Sequence, residues 1–144
     1  MNEATLLLPP PDRQFSADNR ILVFSREYDT RFLLKTILEI WGYQTEESDC
    51  VEKSLSLVEN WKPNLIMLDA VLPFETHLDY IRQIRGNPLS KEIPIIVLSG
   101  FSQPKFRNLS QEIGADDFFV KPIDLDLLEN CLKNKFDKSL KQTH

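Results

Sequence analysis

Pro63-Asn64-Leu65-Ile66-Met67-Leu68-Asp69 sets four consecutive apolar residues between a Pro-Asn breaker and a single carboxylate. Apolar residues at adjacent rather than alternate positions mark a strand covered on both faces, the condition of a central parallel strand. Ile21-Leu22-Val23-Phe24 and the run from Ile93 to Leu98 read the same way on either side of it. A weaker run, Tyr43 to Glu47, and a short one, Phe118-Phe119-Val120, bring the predicted strands to five.

Helical periodicity fills the gaps. Tyr28 to Trp41 carries Phe32, Leu33, Ile37, Ile40 and Trp41 at helical spacing and stops at Gly42, a suitable left-handed C-cap. Asp49 is placed to cap a second helix through Trp61, with Val51, Leu55 and Val58 inward. Leu78 to Arg85 forms a short third, closed by Gly86 and Pro88. Pro104 suits the first turn of a fourth, with Phe106, Leu109 and Ile113 inward. Asp124 caps a fifth, with Leu127, Leu128, Cys131 and Leu132 inward. This repeated strand-helix alternation predicts an α/β fold: a five-stranded, doubly wound parallel sheet of flavodoxin-like (βα)5 type. Residues 1–19, polar and Pro-rich, read as a disordered N-terminal arm, 20–136 as the folded domain and 137–144 as a C-terminal tail.

Composition narrows the function. A chain of 144 residues with 42% hydrophobic and 27% charged residues supports one core. Its glycines, Gly42, Gly86, Gly100 and Gly114, are scattered singly, which excludes Walker and Rossmann phosphate loops. A net charge of −5 opposes nucleic-acid binding by the surface as a whole. Cys50 and Cys131 form no CxxC or Cys/His cluster, so no zinc site or disulfide framework is expected. Leu6-Leu7-Leu8 lacks the flanks of an export signal, and no apolar run suits a membrane span, so a cytoplasmic protein without membrane insertion is expected.

In doubly wound sheets the functional crevice lies at the carboxyl ends of the strands. Those ends read Ser25-Arg26-Glu27, Asp69, Ser99-Gly100 and Lys121-Pro122, bringing a carboxylate, a hydroxyl and an ammonium to one edge. Three ordered stretches carry a family resemblance: Pro63 to Asp69 with Pro73 following, Ile93 to Gly100, and Gly114-Ala115-Asp116-Asp117-Phe118-Phe119-Val120-Lys121-Pro122. Over nearly all of residues 20–136 the sequence resembles the receiver domain of two-component response regulators.

That resemblance implies a phosphorelay signalling domain, not a dedicated enzyme. It makes Asp69 the phosphoryl acceptor, Ser99 the hydroxyl that meets the phosphate and Lys121 its counter-ion, with Ser99 and Phe118 as switch residues. It implies a sensor histidine kinase or phosphotransfer protein as donor. A downstream signalling protein would bind the face of the fourth helix, fifth strand and fifth helix, with Phe101 and Phe106 as exposed anchors. The sequence reaches His144 soon after the fifth helix, so output is expected from a separate protein if it is complete, and the basic tail is expected to be a linker if it is a fragment.

The departures from the family concern metal. Family members carry two acidic residues after the first strand that hold Mg²⁺ with the phosphoacceptor; Ser25 and Arg26 stand there, leaving Asp69 the one carboxylate ligand unless Glu27, one position late, substitutes. Phe74-Glu75-Thr76-His77 follows Pro73 where relatives are often Gly-rich, and His77 reads as solvated or capping. Phe118 keeps an aromatic ring but no hydroxyl. The alternative is a phosphorylation-independent pseudo-receiver, a protein-binding module in which Arg26 pairs with Asp69. A haloacid-dehalogenase-like hydrolase would need an Asp two positions after Asp69, where Val71 stands, and a flavin binder a phosphate loop in place of Ser25-Arg26-Glu27.

Overall fold

The computed structural model describes residues 18–71 and 73–142, the side chains of 138–142 excepted. Strands form at each apolar run: β1 (Arg20–Phe24), β2 (Gln44–Ser48), β3 (Leu65–Ala70), β4 (Ile95–Ser99) and β5 (Asp117–Val120). All pair in parallel in the order β2-β1-β3-β4-β5, as predicted, so chain order reverses between β1 and β3. The helices are α1 (Tyr28–Ile40), α2 (Val51–Asn60), α3 (Phe74–Gly86), α4 (Pro104–Glu112) and α5 (Leu125–Gln142).

Alternation along the strands builds two apolar layers. Ile21, Val23, Leu65, Met67, Ile96 and Leu98 face Leu34 and Leu38 of α1 and Leu128 and Leu132 of α5. Leu22, Phe24, Ile66, Leu68, Ile95 and Val97 face the other way, where Tyr80, Ile81 and Ile84 of α3 cover them. Every residue of β3 and β4 is buried, which is why their sequences show no polar alternation.

The helices depart from their predicted stripes. On α1 the buried residues are Leu34 and Leu38; Phe32, Leu33 and Ile40 are 62%, 58% and 75% exposed. Apolar residues surround this helix, so spacing alone left its rotation open. Leu127 and Leu109 are likewise exposed, and Ser110, not Leu109, is the buried residue of α4. The second helix starts from Cys50 instead of Asp49. Gly42 and Asp124 behave as predicted: Gly42 has φ +98°, and Asp124 Oδ1 accepts from the Asp126 and Leu127 amides.

Three boundaries also move. The third helix begins at Phe74, because the ring of Phe74 and His77 are buried and extend its inner face one turn before Leu78. The fifth continues to Gln142 through residues without Gly or Pro, so most of the expected tail is helix. Asn19, placed in the arm, belongs to the fold: its amide donates to the Gly42 carbonyl at 2.8 Å and its carbonyl accepts from Gln44 at 3.0 Å. Residues 1–17 of that arm, and 143–144, lie outside the described residues.

The rotation of α1 is testable by urea unfolding. Leu38→Ala should cost about 2–5 kcal/mol, and Phe32→Ala on the same helix no more than about 0.5 kcal/mol; equal losses would contradict the packing described.

Candidate functional site

Register brings the site together. Phe24 pairs with Leu68, so the next residue of each chain, Ser25 and Asp69, emerge side by side between β1 and β3. Both follow the parity of the layer under α1 and α5: Ser25 continues Ile21 and Val23, and Asp69 continues Leu65 and Met67. Lys121 follows Phe119 on that same face, whereas Ser99 follows Ile95 and Val97 onto the opposite one.

Contacts obey this parity. Ser25 Oγ donates to Asp69 Oδ2 at 2.8 Å, and Lys121 Nζ donates to Asp69 Oδ1. Asp69 is 1% exposed and Ser25 is wholly buried. A buried carboxylate without partners would be costly; here a counter-ion and a hydroxyl each take one oxygen. Ser99 is also buried, but its Oγ accepts from the Phe101 amide at 2.9 Å, so its own proton is what it has to offer an incoming anion.

Arg26 does not pair with Asp69. Its side chain is exposed, as is that of Glu27, and the partners of Asp69 are Ser25 and Lys121. The geometry explains the change: the chain turns into α1 directly after β1, with the Glu27 amide donating to Ser25 Oγ at 3.0 Å, so the residue facing the sheet is Ser25 and the next two turn outward.

Sequence reading missed the groups that hold Ser25. Arg31 Nη1 donates to the Ser25 carbonyl at 2.8 Å while its Nε meets Glu47 at 3.0 Å, and Lys35 meets the same carboxylate at 3.1 Å. Arg31 first, then Lys35, holds the Glu47 carboxyl below its usual range. The Ser25 amide donates to the Ser48 carbonyl at 3.1 Å. Behind Ser48 runs a chain of buried hydroxyls: Tyr80 donates to Ser54, Ser54 to Ser48, and Ser48 to the Cys50 carbonyl, at 2.9, 2.9 and 2.6 Å. The sequence signal was Ser54, one turn before Val58 on a helix face that is otherwise apolar.

A second cluster lies beyond Ser99. Phe101 and Phe106, expected as exposed anchors, are half-buried against Phe74, with ring centroids 5.1 and 4.5 Å from it. His77, expected in solvent, is buried edge-on to Phe74 at 3.9 Å, with Nε2 3.5 Å from Ser110 Oγ and Nδ1 without a partner among the described residues. It seals α3 against α4. Phe118 is buried beneath Arg107, whose Nη2 donates to the Phe118 carbonyl at 3.3 Å.

A five-stranded parallel sheet with one buried acid at its switch point and a Lys reaching across from β5 defines a receiver-type signalling domain. The family model for the response regulator receiver domain matches residues 21–133, and the chain belongs to that family. It is 30% identical over 102 residues to the phosphate regulon transcriptional regulatory protein PhoB of Pseudomonas aeruginosa, covering 71% of this chain and 44% of that protein. The chain therefore spans less than half the length of that relative. Among solved structures it resembles the receiver domain of a signal transduction histidine kinase from Syntrophus aciditrophicus, with TM-score 0.72 and 31% identity over 83% of this chain and 91% of that one. A receiver domain of a sensor histidine kinase from Pseudomonas aeruginosa shares the fold at 20% identity and TM-score 0.72, covering 83% of this chain and 98% of that one; its structure has magnesium coordinated in the active-site cleft.

Receiver domains generally bind Mg²⁺. Among the described residues of this chain no three His, Cys, Asp or Glu side chains are grouped to hold a metal ion. A single carboxylate already neutralised by an ammonium, with a hydroxyl that donates to it in place of a second acid, does not fit a hard divalent cation that takes oxygen ligands in octahedral array. No described helix is long and apolar enough to cross a membrane.

Burial pushes the His77 imidazole down to about 4, with Glu75 opposing the shift. The folded state therefore refuses a proton that the unfolded chain accepts below its ordinary value of 6.5. Stability is unaffected above that value and is lost as pH falls from 6.5 toward 4, by roughly 3 kcal/mol at the limit. His77→Gln should flatten the fall of the unfolding midpoint across that window; parallel profiles would show that His77 does not carry it.

Proposed function

We propose that this domain receives a phosphoryl group on Asp69 from the phosphohistidine of a sensor kinase or phosphotransfer protein. The observation that carries the reading is the buried Asp69 carboxylate paired to Lys121 at the carboxyl edge of the sheet. A carboxylate oxygen attacks phosphorus as the P–N bond of the donor breaks, and the departing imidazole takes a proton from solvent. Lys121 shifts from the carboxylate toward the new phosphate, and the Ser99 proton, turned toward it, adds a hydrogen bond. The domain itself is a signalling module, not a dedicated enzyme, working in the cytoplasm on protein partners and not on nucleic acid.

Movement of Ser99 would release the Phe101 amide it now binds, and through Phe101 the aromatic cluster on Phe74 and Phe106. The face of α4, β5 and α5, with Phe118 beneath it as a switch, is the surface offered to a downstream protein.

A second reading has one observation in its favour: both oxygens of Asp69 already have partners, as a phosphorylation-independent binding module would require. Incubation with phosphoramidate or acetyl phosphate, followed by intact mass, separates the two. One phosphoryl group should be gained by the wild type and none by Asp69→Asn, while Lys121→Met should slow the gain by about tenfold or more. Failure of the wild type to gain it under every condition, with and without Mg²⁺, would favour the second reading.

A further inference from the structure

Ser25 is hydrogen-bonded at every polar group it has. Its amide, carbonyl and hydroxyl are all bonded, to the Ser48 carbonyl, to Arg31 and to the Glu27 amide, and its proton goes to Asp69. A cation seated on Asp69 would share Oδ2 with that hydroxyl or Oδ1 with the Lys121 ammonium, and the donors on those oxygens point protons, not lone pairs, at it. It would also meet the Lys121 ammonium on the acid, and the Ser25 carbonyl is already taken by Arg31. The nearest acid on β2, Glu47, is committed to Arg31 and Lys35. Among the described residues Asp69 is thus the one carboxylate turned into the site, already neutralised by an ammonium, while Glu27 is exposed.

We infer that Ser25 and Lys121 replace the metal, so that the Asp69 site neither binds nor requires Mg²⁺. Ser25 acts as a positioning residue, fixing the carboxylate through Oδ2 while Lys121 neutralises it. The consequence for transfer rests on Asp69 being the phosphoacceptor; the metal claim rests on the contacts alone.

Two measurements on the full chain test it. Calorimetric titration and thermal unfolding with MgCl₂ should show no binding and no shift for the wild type. Ser25→Asp, which sets a second carboxylate beside Asp69, should unfold earlier without metal and be raised by Mg²⁺, binding it at least about tenfold more tightly than the wild type. Millimolar or tighter binding by the wild type, abolished in Asp69→Asn, would overturn the inference. In the second measurement, phosphoramidate should modify the wild type at rates equal within about twofold in EDTA and in MgCl₂, and Ser25→Asp only with metal; a wild-type requirement for Mg²⁺ would also overturn it. If no adduct forms at all, the phosphoacceptor reading fails while the titration still decides the metal claim, and if Ser25→Asp does not fold, the wild-type measurements decide it alone.

Discussion

The structure turns on a carboxylate held out of water. Asp69 is almost wholly buried at the point where the order of the sheet reverses, and an unpaired charge there would cost several kcal/mol. Its partners come from different strands, Ser25 from the end of β1 and Lys121 from the end of β5. Closing the site therefore ties the central strand to an inner neighbour and to the far edge. The cation that does this is carried by the chain itself.

Parity along the strands explains what could be read in advance. Ile21 to Phe24 and Leu65 to Leu68 revealed their burial on both faces by having no polar alternation, so the number of strands and their parallel arrangement were legible. Helix rotation was not. On α1, Phe32, Leu33 and Ile40 suit an inner stripe as well as Leu34 and Leu38 do, and only docking onto Ile21, Val23 and Leu98 chooses between them. The same ambiguity misplaced Leu109 and Leu127, and a short apolar-then-polar start hid the first turn of α3.

Site residues divide along a similar line. Asp69 and Ser99 close the apolar runs of β3 and β4 and Lys121 directly follows β5, so their position at the edge is legible. In the sequence Ser25 stands out only by lacking an acid, because its hydroxyl bond depends on the turn that sends Arg26 and Glu27 outward. Arg31, Ser48, Ser54 and Tyr80 contribute through contacts between elements far apart in sequence, and nothing local announces such pairs. His77 was misread because a polar residue near a helix start suggests solvent, while a neighbouring apolar ring can bury it at the expense of one unbonded nitrogen.

At the carboxyl edge Asp69 follows the parity of the α1 and α5 layer and Ser99 that of the other. Lys121 spans that division. Its ammonium lies on Asp69, and its backbone amide donates to the Ser99 carbonyl at 2.7 Å. Ser99 in turn holds the Phe101 amide at the mouth of the aromatic cluster. A chain of noncovalent contacts, Asp69 to Lys121, Lys121 to Ser99 and Ser99 to Phe101, thus joins the buried carboxylate to the aromatic cluster of Phe74 and Phe106 between α3 and α4.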